Sequence, residues 1–323
     1  MQWNGRKVLV TGGSGFIGAR LVGRLLEAGA TLAVTVRYGN VVKNERLRGC
    51  WEQLQIIEAD LRNRGALEAV RRFSPRLSSI WPPTITWGRA LPRSRSVLMS
   101  TPRERPTWWT PAPTPRDSSI SPAPRSMAIR PPYLSSRTSS RNPFLPMPSP
   151  STPANCIAGC ASAWRTLSRT VVLRPFNAYG PYQSSKAIIP ELILKCLRGL
   201  PIDCTPGEQT REFNFVEDLV DGFLLAAAAD HVIPGPVNLA AGQEVAIRDL
   251  VQTIARLTAS SSELRLGALP YRPTEIWRMR GDPTRARQWL GWEPKTSLEE
   301  GLGQTVEWFR GYLAQTADST AQR

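Results

Sequence analysis

A glycine-rich turn near the start of the chain constrains the fold more than any other feature. Residues 7–30 read KVLVTGGSGFIGARLVGRLLEAGA, in which a short apolar strand is followed by three glycines and a helical stripe of apolar residues. Gly12, Gly15 and Gly18 stand three residues apart, and Gly29 follows the stripe, where a glycine commonly ends a helix. This order predicts an α/β unit that presents a helix N-terminus to a bound anion.

Each glycine in such a turn has its own physical task. One permits the tight turn, one lets a pyrophosphate approach the backbone, and one allows the helix to pack close to the strand. A glycine triplet alone is weak evidence, but here the strand before it and the helix after it are both present. We therefore predict that Gly12, Gly15 and Gly18 bind a dinucleotide cofactor, together with Phe16 and Ile17 in the first helical turn.

The ends of the next two predicted strands bear on the choice of cofactor. The strand TLAVTV leads into Arg37 and lacks the acidic residue that takes the ribose hydroxyls in many NAD sites. Arg37 either meets the 2′-phosphate of NADP or is a solvated charge at the strand end. The strand LQIIEA leads into Asp60 and Leu61, where the aspartate either accepts a hydrogen bond from the adenine amino group or caps the next helix. NAD is the predicted cofactor, with NADP as the alternative.

These N-terminal motifs resemble those of the extended short-chain dehydrogenase/reductases, the NAD-dependent epimerase/dehydratase family. The resemblance implies Gly12, Gly15 and Gly18 on the cofactor pyrophosphate, and Asp60 with Leu61 near the adenine. It also implies an α/β fold with a Rossmann-type doubly wound parallel sheet and a smaller C-terminal substrate lobe. Homodimers are expected only by analogy with this family.

The resemblance resumes at TVVLRPFNAYGPYQ and runs to about Phe309. It implies Asn177 near a nucleoside diphosphate sugar, and Arg211, within GEQTREFNFVEDL, on the diphosphate. Arg272, within LPYRPTEIWRMRGDP, is implied as a second diphosphate contact. Guanidinium groups suit this task because their planar forks bind phosphate oxygens in bidentate fashion. The alternative for each arginine is a surface salt bridge.

Residues 76–168 differ from both flanks in composition. The segment holds 17 of the 29 prolines, and its twelve arginines against two acidic residues account for ten of the fifteen net positive charges. The basic excess is thus confined to one segment, so we do not expect a nucleic-acid partner despite the net charge. The composition is typical of disorder. We predict half a Rossmann domain over 1–75, this aberrant segment, and the end of the sheet with the substrate lobe over 169–323.

The chemistry implied by the resemblance needs a Tyr-x-x-x-Lys pair on one helix face. The lysine lowers the tyrosine pKa, and the tyrosine then moves a proton while the nicotinamide takes a hydride. Residues 76–168 contain no lysine, and Tyr133 is their only tyrosine. We therefore assign no catalytic residue, and we expect the chain as written to be impaired as an enzyme.

A shifted reading frame restores the missing pair. If the true frame starts one base earlier, the codons over residues 147–151 permit Tyr-Ala-Val-Ser-Lys, with the alanine forced. Those over residues 122–128 permit Ser-Ser-Ala-Thr-Val-Tyr-Gly, with the glycine forced. The other shifted frame puts cysteine over Met147. We hypothesise two compensating single-base shifts, one near residues 73–79 and one near 165–170.

Three functions are compatible with these observations. The first is a nucleotide-sugar epimerase that oxidises the sugar transiently at C4, similar to UDP-glucose 4-epimerase. The shifted codon over Pro124 cannot encode the acidic residue that starts the Asp-Glu pair of the family's 4,6-dehydratases, which favours this type. The second is a 4,6-dehydratase, reductase or decarboxylase of the same family. The third is a non-catalytic NAD(P)-binding protein with a basic disordered arm.

Other features are less specific. The five cysteines are odd in number and lack paired metal-type spacing, so we expect reduced thiols and no metal site. No run of eighteen apolar residues occurs, and a strand begins at once without a signal-peptide pattern, which predicts a cytoplasmic protein without a membrane span. Ser297 and Glu300 have the spacing of a capping box before a final amphipathic helix.

Overall fold

The computed structural model describes residues 3–36, 45–58, 73, 77–80, 97–100 and 170–321. Three predicted cofactor contacts, Arg37, Asp60 and Leu61, lie outside the described residues. So does nearly all of the segment 76–168, whose predicted disorder the described residues do not address.

The described residues form fourteen strands, six α-helices and one 3₁₀ helix. The strands are β1 (Lys7–Thr11), β2 (Thr31–Val36), β3 (Leu54–Glu58), β4 (Leu77–Ile80), β5 (Val97–Ser100), β6 (Thr170–Pro175), β7 (Ala178–Tyr179), β8 (Ile202–Cys204), β9 (Thr210–Arg211), β10 (Asn214–Phe215), β11 (Val237–Leu239), β12 (Val245–Ala246), β13 (Leu264–Leu266) and β14 (Arg278–Met279). The helices are α1 (Phe16–Glu27), the 3₁₀ helix (Glu45–Gln53), α2 (Ile188–Leu197), α3 (Val216–Ala228), α4 (Ile247–Leu257), α5 (Thr284–Leu290) and α6 (Leu298–Ala321).

Seven strands form the main sheet in the order β11-β6-β5-β4-β1-β2-β3. The pairs β1–β2, β2–β3, β1–β4 and β6–β11 are parallel, as the predicted Rossmann-type sheet requires. The fold class is thereby confirmed. One strand differs: β5 runs antiparallel to both β4 and β6.

The reversed strand β5 lies in the compositionally aberrant segment. A parallel neighbour of β4 needs a crossover connection of a dozen or more residues, usually a helix. The sequence between β4 and β5 instead carries Pro82, Pro83 and Pro92, and proline breaks a helix interior. The antiparallel course of β5 agrees with a connecting sequence that disfavours such a helix.

Strands β1 and β2 of the main sheet are buried on both faces. Val8 and Val10 of β1 pack in one apolar cluster with α1, while Leu9 between them belongs to a second cluster with Ala33 and Ile57. Alternate residues of a strand point to opposite faces, so helices or loops cover the sheet on each side. The near-continuous apolar run of β1 is explained by this two-sided burial.

Helices α1 and α3 lie side by side against the sheet. Three ion pairs join them: Arg24 contacts Asp221 at 2.8 Å and Glu217 at 3.7 Å, and Arg20 also contacts Glu217. These pairs are partly exposed, so the packing of the apolar helix faces contributes more than the charges do. The contact links the glycine turn to the substrate lobe, because α3 directly follows β10.

The C-terminal lobe has its own apolar core. Helices α2, α4 and α6 pack around buried side chains that include Tyr179, Ile193, Leu250 and Val306. Three small sheets frame this core, in the orders β10-β7, β12-β9-β14 and β13-β8. The lobe thus brings together segments that are more than a hundred residues apart in sequence.

The start of α6 confirms the predicted capping box. The Glu300 backbone N–H donates to Ser297 Oγ at 3.2 Å, and the Ser297 backbone N–H donates to Glu300 Oε2 at 2.9 Å. Just before it, the Thr296 backbone N–H donates to Asp218 Oδ2 at 3.0 Å. None of the helices in the described part of the chain is both long and apolar enough to cross a membrane.

Candidate functional site

The glycine turn between β1 and α1 has room for backbone but not for side chains. Gly12 has φ +65°, a left-handed conformation that favours glycine, and its carbonyl accepts the Gly15 N–H at 2.9 Å. A Cβ atom on Gly18 would overlap the Gly12 carbonyl oxygen and lie 2.9 Å from Gly13 Cα. The helix therefore approaches the turn as closely as glycine alone allows.

Gly13 is a fourth required glycine, which our sequence interpretation missed. A Cβ atom there would lie 2.6 Å from Val34 Cγ1 on the neighbouring strand β2. The available signal was the doublet Gly12-Gly13, but only the contact across the sheet reveals why the second glycine is needed.

The N-terminus of α1 is open to a ligand. Gly15 is its N-cap residue and makes no side-chain capping bond, and the first helical turn contains no acidic residue. The first backbone N–H groups and the positive end of the helix dipole are therefore left for an anion. Phe16 is partly buried and Ile17 is 4% exposed in the core. Both residues can therefore offer backbone N–H groups to an anion. The side chain of Ile17 is buried in the core and cannot do so.

In the substrate lobe, the structure brings Asn177 and Arg211 together. Asn177 Nδ2 donates to the Glu212 carbonyl oxygen at 2.8 Å and lies 3.3 Å from Met279 Sδ. Arg211 is the last residue of β9 and directly precedes Glu212, and Met279 on β14 pairs with Arg211 in the parallel ladder. The two predicted substrate contacts thus border the same small sheet.

Much of the Arg211 guanidinium is held by protein partners. It contacts Glu275 at 2.5 Å, with the two side chains 18% and 12% exposed. It also donates to the carbonyl oxygens of Thr210, at 2.8 Å, and Ile276. Three of its five N–H donors are engaged in this way, which leaves two for a ligand.

Arg272 differs from Arg211 in its exposure and in its contacts. Its side chain is exposed and has no ion-pair or hydrogen-bond partner within the described residues. Its backbone carbonyl accepts the Glu275 N–H at 3.0 Å, so it belongs to the same loop that holds Arg211. The structure therefore offers one pre-oriented arginine and one exposed arginine on neighbouring segments.

A buried carboxylate, Glu212, joins the segments around this site. Its side chain is fully buried and accepts backbone N–H groups from Gly281 at 2.6 Å, Gly242 at 3.3 Å and Ala241. Asn214 Nδ2 donates to it as well, at 3.2 Å. Burial raises the pKa of the Glu212 carboxyl, and these hydrogen bonds act in the opposite direction.

The sequence interpretation did not identify Glu212. An acidic residue next to Arg211 has the appearance of a solvated partner, and its backbone donors lie 29 to 69 residues further along the chain. No local sequence pattern predicts such a contact.

Within the described residues no group of three or more His, Cys, Asp or Glu side chains is arranged to hold a metal ion.

In its glycine turn, open helix end and mostly parallel sheet, the chain resembles α/β dinucleotide-binding folds. Two family models match it: residues 8–76 match the NAD dependent epimerase/dehydratase family, and residues 164–305 match GDP-mannose 4,6 dehydratase. Each model covers less than half of the chain, so each match shows what one flank of the chain is similar to.

Curated relatives match part of the chain. UDP-glucuronic acid decarboxylase 1 of Xenopus tropicalis is 35% identical over 151 residues, which are 46% of this chain and 35% of the relative. UDP-glucuronic acid decarboxylase 5 of Arabidopsis thaliana is 34% identical over 142 residues, which are 43% of this chain and 40% of the relative. The chain therefore spans between a third and two fifths of the length of these relatives.

Solved structures share the fold over nearly the whole chain. An epimerase from Methanothermobacter thermautotrophicus has a TM-score of 0.69 at 20% identity, over 98% of this chain and 96% of that chain. UDP-glucose 4-epimerase from Thermus thermophilus, in complex with NAD, has a TM-score of 0.63 at 20% identity, over 94% and 99%. UDP-glucuronic acid 4-epimerase from Bacillus cereus, in complex with UDP-glucuronic acid and NAD, has a TM-score of 0.63 at 18% identity, over 95% and 99%. These similarities support the Rossmann-type architecture.

Proposed function

We propose that this chain derives from an NAD-dependent enzyme that acts on nucleoside diphosphate sugars, with a 4-epimerase-type reaction as the first candidate. The observation that carries the proposal is the turn at Gly18, which excludes every side chain beside the open N-terminus of α1. Gly12, Gly15, Phe16, Ile17 and Gly18 would hold the pyrophosphate of NAD by backbone contacts. Bound there, NAD supplies a hydride acceptor for a sugar carbon.

The remaining predicted cofactor contacts belong to the same proposal. Asp60 and Leu61 are proposed near the adenine. Arg37 is the residue on which the NADP alternative depends, because its guanidinium is suited to a 2′-phosphate. Competition between NAD and NADP for the purified chain measures this preference directly.

In the substrate lobe, we propose that Arg272 and Arg211 bind the diphosphate of the sugar nucleotide, with Asn177 beside them. The exposed Arg272 has all its donors available, and Arg211 has two donors left after its contacts with Glu275 and two carbonyl oxygens. The guanidinium of Arg211 is held in place by its protein partners, whereas that of Arg272 is exposed. Together they can bind phosphate oxygens of an entering ligand in bidentate fashion.

A decarboxylase is the second candidate, because the curated relatives are UDP-glucuronic acid decarboxylases. Oxidation at C4 of a hexuronic acid creates a β-keto acid, which loses carbon dioxide readily. The same first step therefore serves an epimerase, which rotates the keto intermediate, and a decarboxylase, which cleaves it. Product analysis with UDP-glucuronic acid separates them, since one gives a C4 epimer and the other a nucleotide pentose with carbon dioxide.

The proposal includes the reading-frame hypothesis. The family models end at residue 76 and resume at residue 164, so the unmatched interval nearly coincides with the segment 76–168 defined by composition. We propose the same division of the chain, with a cofactor-binding part over 1–75 and a substrate part over 169–323. A chain with this middle segment would bind ligands without turning them over.

Resequencing the source DNA across codons 70 to 170 tests the proposal first. We expect two compensating single-base changes, after which the corrected protein is assayed with UDP-glucose and UDP-glucuronic acid. Activity that disappears when the restored tyrosine is replaced by phenylalanine would support the function. DNA that reads as the present chain, or a corrected protein inert on nucleoside diphosphate sugars, would overturn it and leave the non-catalytic NAD(P)-binding hypothesis.

A further inference from the structure

Two aromatic side chains form a small surface beside the substrate arginines. The rings of Tyr271 and Trp277, which we call the aromatic shelf, have centroids 4.7 Å apart and planes tilted by 58°. Trp277 is 51% exposed, whereas Tyr271 is partly buried. The Trp277 ring therefore presents a flat apolar surface on which a planar group can stack.

The shelf is held in place from both sides. Tyr271 Oη accepts the Glu208 backbone N–H at 3.1 Å, which fixes that ring to the loop before β9. The carbonyl oxygen of Trp277 accepts the Thr210 backbone N–H at 2.8 Å, which fixes the residue to β9 itself. A ring that is already ordered loses little conformational entropy when a ligand stacks on it.

The shelf lies among the groups proposed for the diphosphate. Ile276, next to Trp277, accepts a hydrogen bond from the Arg211 guanidinium, and Arg272 directly follows Tyr271. Residues two apart in an extended segment face the same side, so Trp277 shares its side with Met279, whose sulfur lies beside Asn177. An aromatic surface and two guanidinium groups therefore border one region.

We propose that the aromatic shelf binds the nucleobase of the sugar nucleotide, by stacking on Trp277, while the arginines hold the diphosphate. A flat apolar surface next to cationic groups matches a ligand with a planar base at one end and phosphates at the other. This inference rests on the proposed function and adds to it a determinant of nucleotide affinity. It assigns Trp277 a role in binding and none in the chemical step.

The test measures binding of UDP and of inorganic pyrophosphate by calorimetry, with the chain as it exists. In Trp277→Ala we expect UDP to bind roughly 5- to 150-fold more weakly, the range that base stacking on an aromatic side chain contributes. Pyrophosphate affinity should stay unchanged, and Trp277→Phe should retain most of the UDP affinity. Tyr312→Ala removes an aromatic ring that is 37% exposed on α6 and serves as the matched control.

The binding results test the aromatic shelf separately from the proposed function. Equal UDP affinity in the original chain and in Trp277→Ala overturns the shelf but leaves the proposed function intact. Equal affinity of the original chain for UDP and pyrophosphate also overturns it, because the base then contributes nothing. An original chain that binds NAD but not UDP overturns both the shelf and the nucleotide-sugar function. Retained NAD binding in Trp277→Ala shows that the variant is folded.

Discussion

The glycine turn and the C-terminal lobe are the two regions proposed to bind phosphate groups, and they are built by opposite means. The turn uses seven consecutive residues, from Gly12 to Gly18, and would bind through the backbone. The lobe uses residues from β9, β14 and the loops beside them, and holds them by the buried carboxylate of Glu212. The glycine turn is a local site, because it depends on the absence of side chains within a few residues. The site in the lobe is an assembled site, because it depends on contacts between distant segments.

The largest expected effect tests the assembled site. Glu212→Ala removes an acceptor that serves the buried Gly281 N–H and Asn214 amide, and the partly buried N–H groups of Ala241 and Gly242. Leaving such donors unsatisfied should lower the free energy of unfolding by about 3–5 kcal/mol, because each buried unpaired group costs about 1–3 kcal/mol. Denaturant unfolding measures this loss.

The exposed Glu299 provides a control for that substitution. It contacts Arg256 at 2.9 Å, with both side chains about 60% exposed. Its replacement by alanine should change stability by less than about 1 kcal/mol, since exposed ion pairs contribute little. If Glu212→Ala and Glu299→Ala unfold at the same denaturant concentration, Glu212 does not hold the lobe together.

The next effect tests the local site. Gly18→Ala places a methyl group against the Gly12 carbonyl, so the helix must move away from the turn. We expect loss of NAD binding together with about 1–3 kcal/mol of destabilisation, the usual cost of forcing an extra carbon into a packed place. Gly23→Ala in the same helix is the control, because a Cβ there meets nothing within 4 Å. It should raise stability by about 0.5–1 kcal/mol and leave NAD binding unchanged. Equal NAD affinity in both variants would contradict the glycine turn as the NAD site.

A smaller effect separates the two arginines of the lobe. Arg211→Ala leaves Glu275, which is 12% exposed, without its partner, so we expect both weaker binding of UDP-glucose and about 1–3 kcal/mol of lost stability. Arg272→Ala should weaken the same binding while changing stability by less than about 0.5 kcal/mol, because its side chain is exposed. Calorimetry and thermal unfolding on the two variants check this difference. Identical behaviour would mean that the two guanidinium groups are not held differently.

The contrast between the two sites also explains what the sequence predicts. The turn at Gly12 and the capping box at Ser297 are complete within a few residues, so spacing and residue type predicted both. Asn177 and Arg211 could be named from the resemblance, but their partners could not. Glu212 and Glu275 bind groups dozens of residues away, and only the folded chain shows that these carboxylates are buried. The antiparallel course of β5 was likewise unpredicted, since it depends on how two distant strands meet.

The smallest expected effect belongs to a purely local motif. Hydrogen bonds from Ser297 hold the pKa of Glu300 below its ordinary value. A carboxyl whose pKa is lower in the folded state stabilises the protein above its unfolded pKa, and this contribution is lost as pH falls through the folded value. Glu300→Ala should therefore lower the Tm slightly at about pH 7 and leave it unchanged near pH 2, where the original side chain is protonated as well. A Tm difference that persists near pH 2 would assign the effect to lost packing rather than to the charged cap. A difference as large as that of Glu212→Ala would break the distinction between local and assembled contacts.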